Sequence, residues 1–180
     1  MARSIRALAP LAFLLGVLAA AAAPAAVAGE MAAKFKVGDT APDFTLEDTA
    51  GEEVRLSGFA GKKAVLLAFW SLRCGACLQE IPHLNRIEQD FRNRDAAVIS
   101  VVTDGVDAAA TRAIMKEVGA APAYPVLVDP DFSVSDTYTS FVVPHTLVID
   151  RGGIIRYVHT GFEPGTEKQY VKALAEALGR

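Results

Sequence analysis

Cys74 and Cys77 are the residues of this chain most able to do chemistry, and only Gly75 and Ala76 separate them. Two thiols at this spacing can form a disulfide, bind a soft metal ion or exchange disulfides with another protein. A structural disulfide stabilises a fold by closing a loop of the unfolded chain, and this gain grows with loop length. Because the loop here is so short, structural stabilisation explains the pair poorly, and redox chemistry is favoured.

Cys74 is predicted to lie where a buried strand ends and a helix begins. The continuous apolar run 64–70 has the length of a central strand, and apolar residues recur at helical spacing from Gly75 to about Asn93. Unpaired N–H groups and the helix dipole stabilise negative charge at a helix start, and Arg73 adds a positive charge. We therefore expect Cys74 to favour its thiolate form and to act as the nucleophile.

Two residues further along the predicted helix can take part in the same reaction. Cys77 follows Cys74 by one turn on the same face and is expected to be more buried. It would be the resolving thiol, which attacks Cys74 after a partner has formed a mixed disulfide there. Glu80 follows one turn later, either as an ordinary surface carboxylate or as the group that handles the proton of Cys77.

The remaining predicted elements must hold this site in place. Two alternating runs, 44–47 and 53–56, flank a turn-rich DTAG segment and predict a β-hairpin. Further strands are predicted at 96–102, 124–129, 145–150 and 153–161, helices at 107–119 and 167–178, and a short helix within 130–141. This order predicts an α/β fold: a mixed central β-sheet flanked by helices, with an N-terminal β-hairpin extension. Pro82 predicts a kink in the helix that follows the cysteines.

The first 28 residues have the pattern of a secretory signal peptide. Arg3 and Arg6 precede an Ala/Leu-rich stretch that ends in Ala26-Val27-Ala28. We expect cleavage directly after this end; the alternative is an uncleaved N-terminal membrane anchor, for which the stretch is marginal in length. Removing 28 of the 180 residues leaves 152, which suits one domain over 29–180 with its core at about 34–178.

Charge and hydropathy narrow the possible classes of protein. Because Arg3 and Arg6 lie in the leader, the rest of the chain has a formal charge of −5 instead of −3, and no basic stripe for nucleic acid remains. No segment after residue 30 is long and apolar enough to cross a bilayer. An exported protein also resides where disulfides persist, which suits a redox-active cysteine pair.

Three segments together resemble the thioredoxin-like superfamily, and within it the exported TlpA/ResA-type thiol-disulfide oxidoreductases, which are related to the AhpC/TSA redoxins. The segments are 37–70, the site CGACLQEIPHL at 74–84, and VVPHTLVIDRGG at 142–153. The first segment alone is shared with peroxiredoxins, whereas the three in this order are specific. The resemblance covers nearly all of residues 34–178 and implies a thioredoxin-like fold.

The resemblance implies roles for particular residues. Cys74 matches the exposed nucleophile of the family and Cys77 its buried partner, and the two form the redox disulfide. Glu80 matches the acidic residue that follows the second cysteine. Pro144 matches the cis-proline that faces the disulfide, and it would present the backbone of Val143 to an extended partner chain.

Other positions are expected to support this site. Pro82 matches the kink proline of the active-site helix, and Trp70 is expected to pack near the disulfide. Gly75 and Ala76 are expected to contact the bound partner together with Val143.

The chain departs from the family pattern at three positions. Arg73 stands where the family usually has Trp, Ala76 where thioredoxins usually have Pro, and Ala68 where thioredoxins have a buried aspartate. Without that aspartate, Glu80 becomes the main candidate for proton transfer. The dipeptide between the cysteines strongly affects the reduction potential, which spans about 150 mV in this class, so both directions of electron flow stay open.

Two other functions fit part of the pattern. A peroxiredoxin needs Pro-x-x-x-Thr/Ser-x-x-Cys, and the chain has Ser71 and Cys74 but Leu67 in place of the proline. A Sco-type copper chaperone would use both thiolates and His145, although Sco-type proteins space their cysteines more widely. A closed zinc site would need more ligands in paired spacing. We expect neither a metal nor another cofactor.

The resemblance implies a periplasmic thiol-disulfide oxidoreductase that acts as a reductant of specific proteins rather than as a general oxidant. Its expected partners are cysteine-containing exported proteins, with apocytochrome c as the leading class. A membrane thiol-disulfide donor would supply the electrons. We expect the protein to be a monomer.

Overall fold

The N-terminal β-hairpin is present as predicted. The computed structural model describes residues 34–139 and 142–179, so the predicted signal peptide lies outside the described residues. Strands β1 (Thr45–Glu47) and β2 (Glu53–Arg55) pair antiparallel. The Asp48 carboxylate closes their turn by accepting two backbone hydrogen bonds, which is a common role of aspartate in turns.

A five-stranded mixed sheet follows the hairpin. Its strands are β3 (Ala64–Trp70), β4 (Ala96–Val102), β5 (Val126–Val128), β6 (His145–Ile149) and β7 (Ile155–Thr160). Their order is β5-β4-β3-β6-β7, in which β3, β4 and β5 are parallel and β6 is antiparallel to both of its neighbours. Every residue of the central β3 is buried, which explains why its sequence is continuously apolar rather than alternating.

The helices begin and end close to the predicted positions. They are α1 (Gly75–Phe91), α2 (Ala108–Val118), α3 (Ser133–Tyr138) and α4 (Glu167–Leu178). Asp107 starts α2 by accepting a hydrogen bond from the N–H of Ala110 at 2.8 Å, and Gly119 ends it in the left-handed conformation. Helix α1 continues for more than two turns beyond Pro82. Among the described residues, no helix combines the length and apolar character that a membrane span requires.

Alternate residues of β3 pack against opposite faces of the sheet. Leu66 lies in an apolar cluster with Leu84 of α1 and Leu174 of α4. Leu67 lies in a second cluster with Tyr138 of α3 and with residues of the hairpin segment. Both faces of the sheet are therefore covered, and α1 shares its face with the C-terminal helix α4.

Candidate active site

The two cysteines lie where β3 ends and α1 begins, and they form a disulfide with 5.2 Å between their Cα atoms. Cys74 is the N-cap residue of α1, and its Sγ accepts a hydrogen bond from the backbone N–H of Cys77 at 3.1 Å. Cys77 is only 1 % exposed, whereas Cys74 is half-buried. The sulfur of Cys74 is therefore the more accessible of the two.

Asp104, at the carboxyl end of β4, fixes the loop that leads into the cysteines. One of its carboxylate oxygens accepts a hydrogen bond from the Ser71 hydroxyl at 3.0 Å, and the other accepts one from the N–H of Leu72 at 2.8 Å. The Ser71 hydroxyl in turn accepts a hydrogen bond from the N–H of Arg73. The sequence analysis did not identify Asp104, although its place directly after a buried parallel strand is a signal, because such strand ends meet at one edge of a sheet.

The predicted substrate-binding backbone lies against the accessible sulfur. The peptide bond between Val143 and Pro144 is cis, and the carbonyl oxygen of Val143 is 3.8 Å from the Sγ of Cys74. Val143 is half-buried, Ala76 is half-buried and Gly75 is exposed, so this backbone surrounds the disulfide near the protein surface. An extended chain can use exposed backbone groups of this kind for pairing.

A groove of about 550 Å³ opens beside this backbone. Ala76, Val143 and Pro144 form one side of it, and the segment 159–163 forms the rest together with Thr166 and Gln169. Its lining mixes polar and apolar groups, so a peptide segment with polar side chains could occupy it.

Glu80 lies in the interior of the protein. Of the two alternatives that the sequence left open for Glu80, the structure therefore excludes an ordinary surface carboxylate. The side chain is 1 % exposed. Its Oε1 accepts a hydrogen bond from the Tyr170 hydroxyl at 2.8 Å and another from the Thr146 hydroxyl at 3.2 Å. Burial raises the pKa of Glu80 to about 7, although both hydrogen bonds favour its charged form. A carboxyl group with this pKa can both accept and return a proton near neutral pH.

The position of Ala68 explains how the sheet accommodates this carboxyl group. Ala68 is fully buried in the same apolar cluster as Leu84 of α1, and it lies opposite Thr146 in the pairing of β3 with β6. Since paired residues project to the same face, β3 contributes a methyl group there and β6 a hydroxyl. The acidic group on this face comes from α1, as Glu80, and not from β3.

Trp70 packs beside the disulfide, and Arg73 lies at the surface. The indole of Trp70 is 2 % exposed, shares an apolar cluster with Cys77 and Ile81, and donates a hydrogen bond to the Ser100 hydroxyl at 3.1 Å. Arg73 is exposed next to Cys74. Trp70 thus closes the interior side of the site, while Arg73 lies on its solvent-exposed side.

His145 is a buried core residue. Its Nδ1 is 2.8 Å from the Thr160 hydroxyl, and its ring lies against Phe69. Burial, and then the neighbouring His159, lower the pKa of His145 to about 4, so the ring is neutral at pH 7. Within residues 34–139 and 142–179, no group of three or more His, Cys, Asp or Glu side chains is arranged to hold a metal ion.

Comparison with known proteins agrees with this geometry. The AhpC/TSA family matches residues 37–158. The chain is 34% identical over 124 residues to the thiol-disulfide oxidoreductase ResA of Bacillus subtilis, covering 69% of this chain and 67% of that protein. It is 29% identical over 143 residues to the protein of the same name from Halalkalibacterium halodurans, covering 79% and 77%.

Solved structures show the same fold. A crystal structure described as a thiol:disulfide interchange protein DsbE, from Chlorobium tepidum, matches with a TM-score of 0.72 and 28% identity over 81% of this chain and 99% of that one. The exposed lipoprotein thioredoxin of Streptococcus pneumoniae matches with a TM-score of 0.65 and 30% identity over 75% of this chain and 99% of that one. The chain therefore belongs to the AhpC/TSA family, and it is a TlpA/ResA-type thioredoxin-like thiol-disulfide oxidoreductase.

Proposed function

We propose that this oxidoreductase acts in the periplasm, where it reduces disulfides of exported proteins, and that apocytochrome c is its leading substrate class. The observation that carries the proposal is the pairing of an accessible sulfur on Cys74 with a buried carboxyl group, Glu80, whose pKa is near neutral. A nucleophile needs an accessible sulfur, and proton transfer at neutral pH needs a group whose pKa is near 7.

In the proposed reaction, Cys74 of the reduced enzyme reacts first. Its thiolate lies at the start of α1, where the backbone N–H of Cys77 already points at the sulfur. This N–H group and the exposed charge of Arg73 favour the thiolate that attacks a partner disulfide. The attack forms a mixed disulfide between Cys74 and the partner and releases the partner's second sulfur as a thiolate.

Cys77 completes the exchange. It transfers its proton to the Glu80 carboxylate and attacks the Sγ of Cys74, which releases the partner as a dithiol. One disulfide bond forms and one breaks, so the partner is reduced and the Cys74–Cys77 pair is oxidised. A membrane thiol-disulfide donor would then return the pair to the dithiol form.

The partner is expected to bind across the backbone around the disulfide. Val143 offers its carbonyl group 3.8 Å from the reacting sulfur, and Gly75 and Ala76 leave that side open because they have small or no side chains. The neighbouring groove would accept the residues that flank the partner cysteines.

The location and the substrate class come from the resemblance. The N-terminal 28 residues have the pattern of an export signal, and the matched relatives named ResA are thiol-disulfide oxidoreductases. An exported partner would present its cysteines as a disulfide in an oxidising compartment, so a reductant is the activity it needs.

A redox titration of the Cys74–Cys77 couple tests the direction of electron flow. We expect a potential near that of thioredoxin, about −270 mV, because a reductant must hold its electrons less tightly than its partner does. A potential near that of DsbA, about −120 mV, would contradict the proposal and identify an oxidant. Failure of the reduced protein to consume hydrogen peroxide would separate this activity from that of a peroxiredoxin.

Trapping tests the substrate class. The variant Cys77→Ala should accumulate mixed disulfides at Cys74, because the resolving thiol is absent. The matched control Cys77→Ala with Cys74→Ala should trap nothing. We expect exported proteins with a cysteine pair, apocytochrome c among them, in the first sample; their absence there would refute the proposed substrates.

A further inference from the structure

Tyr170 of the C-terminal helix α4 contacts the buried acid of the site, which lies on α1. Its side chain is fully buried, and its hydroxyl donates to the Oε1 of Glu80 at 2.8 Å. Burial, together with the charge of Glu80, raises the pKa of Tyr170, so its phenol stays protonated and remains a donor over the physiological range. The sequence analysis did not identify this residue.

The ring of Tyr170 is fixed by aromatic neighbours from another element. Tyr157 and His159 of β7 contact it edge to face, with ring centroids 5.9 and 6.2 Å away. These contacts restrict the ring, and therefore the direction in which its hydroxyl points. His159 also lines the groove beside the disulfide. The His159 ring therefore contacts Tyr170, whose hydroxyl reaches the buried carboxyl group, and also faces the groove.

The other groups that face Glu80 do not duplicate this contact. Thr146 of β6 donates a longer hydrogen bond, 3.2 Å, to the same oxygen. Burial, and then the charge of Glu80, raise the pKa of the Tyr124 phenol as well. Among the described residues, however, the hydroxyl of Tyr124 has no hydrogen-bond partner. Tyr124 and Tyr170 are therefore two buried phenols near one carboxyl group, and only Tyr170 donates to it.

We propose that Tyr170 is a positioning residue, whose hydroxyl holds the Glu80 carboxylate in place and so sets the pH range in which Cys77 can resolve the mixed disulfide. The inference rests on the proposed role of Glu80 as the acceptor of the Cys77 proton. A hydrogen bond donated to a carboxylate favours the charged form, which is the form that accepts the proton. Loss of the Tyr170 hydroxyl therefore leaves Glu80 protonated at higher pH, and fewer molecules are ready for the resolving step.

The first measurement follows the carboxyl group itself in the oxidised protein. Carbon-13 NMR of glutamate-labelled protein gives the titration of Glu80, assigned by the signal that Glu80→Gln removes. We expect Tyr170→Phe to move the midpoint upward by about one pH unit, because one hydrogen bond to the charged form is lost. Tyr124→Phe removes a hydroxyl of the same kind without losing that bond, so its midpoint should stay near the wild-type value.

The second measurement follows the reaction with 5,5′-dithiobis(2-nitrobenzoate). The reduced protein releases one thionitrobenzoate when Cys74 attacks, at a rate that depends on reagent concentration. It releases a second thionitrobenzoate when Cys77 resolves the mixed disulfide, and the rate of this release does not depend on reagent concentration. With Tyr170→Phe we expect the second phase to slow about fivefold at pH 7 and to recover at higher pH, since the ionised fraction of Glu80 falls by that factor. The first phase should keep its rate.

The two measurements separate the inference from the proposed function. An unchanged Glu80 midpoint in Tyr170→Phe, or an equal shift in Tyr124→Phe, would overturn the role of Tyr170. A shifted midpoint with an unchanged pH profile of the second phase would show that Tyr170 holds Glu80, and would overturn both the role of Glu80 in the reaction and the effect of Tyr170 on the resolving step. Thermal unfolding of each variant checks that its fold is retained. We expect the fold to be retained, because phenylalanine keeps the buried ring.

Discussion

The hydrogen-bond partners of the buried Glu80 carboxyl are two neutral hydroxyl groups, those of Tyr170 and Thr146. Neutral donors compensate only part of the solvation that a carboxylate loses on burial, so the protonated form is favoured in the folded state. Its pKa rises from 4.5 to about 7. A carboxyl group that gains in proton affinity on folding makes the stability of the protein depend on pH.

The stability of the oxidised protein should therefore respond to replacement of this one residue. The raised pKa contributes stability below pH 4.5, and this contribution is lost as pH rises through about 7. Glu80→Gln lacks this titration. We expect the free energy of unfolding of the variant, relative to wild type, to increase by about 3 kcal/mol from pH 4 to pH 8.

Urea unfolding at pH values from 4 to 8 measures this difference. Glu176→Gln is the matched control, because Glu176 is exposed on α4. Its stability should follow that of wild type at every pH. Parallel curves for Glu80→Gln and wild type would show that Glu80 titrates in the folded state as it does in the unfolded chain.

At the scale of elements, the loop between β3 and α1 is held by β4 through Asp104. The carboxylate accepts hydrogen bonds from Ser71 and from the N–H of Leu72, which lies two residues before Cys74. Cys74 therefore takes its position from two neighbouring parallel strands. A carboxylate that receives two hydrogen bonds at a half-buried loop contributes both to stability and to the placement of the sulfur.

Asp104→Ala should release this loop. We expect it to lower the stability by about 1–2 kcal/mol and to slow the attack of Cys74 on a disulfide reagent several-fold, because the sulfur is less well oriented. Ser71→Ala keeps the hydrogen bond from Leu72 and should have a smaller effect on both quantities. The rate of the first thionitrobenzoate release and urea unfolding are the measurements. Equal effects of the two variants would contradict a main role of the backbone contact.

The elements themselves were largely predictable, because local patterns encode them. The uninterrupted apolar run defined β3 correctly, and helical spacing of apolar residues defined α1 to within two residues. The strand predicted at 124–129 is shorter, Val126–Val128, because Pro125 has no N–H group to donate to the ladder.

The contacts that complete the site were not predictable from local pattern. Glu80 and Tyr170 are 90 residues apart, and Leu72 and Asp104 are 32 apart. The sequence identified the cysteines, Glu80 and Pro144 by spacing and resemblance, but left the burial of Glu80 open. The Tyr170 hydroxyl reaches this carboxyl group because α4 packs beside α1, and the Thr146 hydroxyl reaches it because β6 pairs with β3.

At the scale of the whole molecule, the chain is acidic, with a formal net charge of −3, and the groove beside the disulfide shares this character. Glu163 is exposed on its lining. Burial lowers the pKa of His159, another lining residue, although the charge of Glu163 opposes this shift, so His159 adds less positive charge than a free imidazole would. Complementary charge mainly increases the rate of encounter. Partner segments with a lysine or arginine near their disulfide are therefore expected to react faster than acidic ones.

Two disulfide-bonded test peptides, flanked by lysine or by glutamate, measure this preference. We expect kcat/KM to be about two- to fivefold higher for the lysine peptide, and less so at high salt, as for other exposed charge pairs. Glu163→Gln should narrow the difference, whereas Glu176→Gln, further along α4, should not. A preference unaffected by salt and by Glu163→Gln would exclude charge as its origin.

The site is built from distant parts of the chain. The cysteines belong to the first half of the chain, whereas Thr146 and Tyr170, which hold the buried acid, come from β6 and from α4, the last helix. The disulfide is formed within a single short segment, but the buried acid has both of its hydroxyl donors only when β6 and α4 are in place. A chain truncated before α4 would therefore keep both cysteines and lack the Tyr170 contact to Glu80.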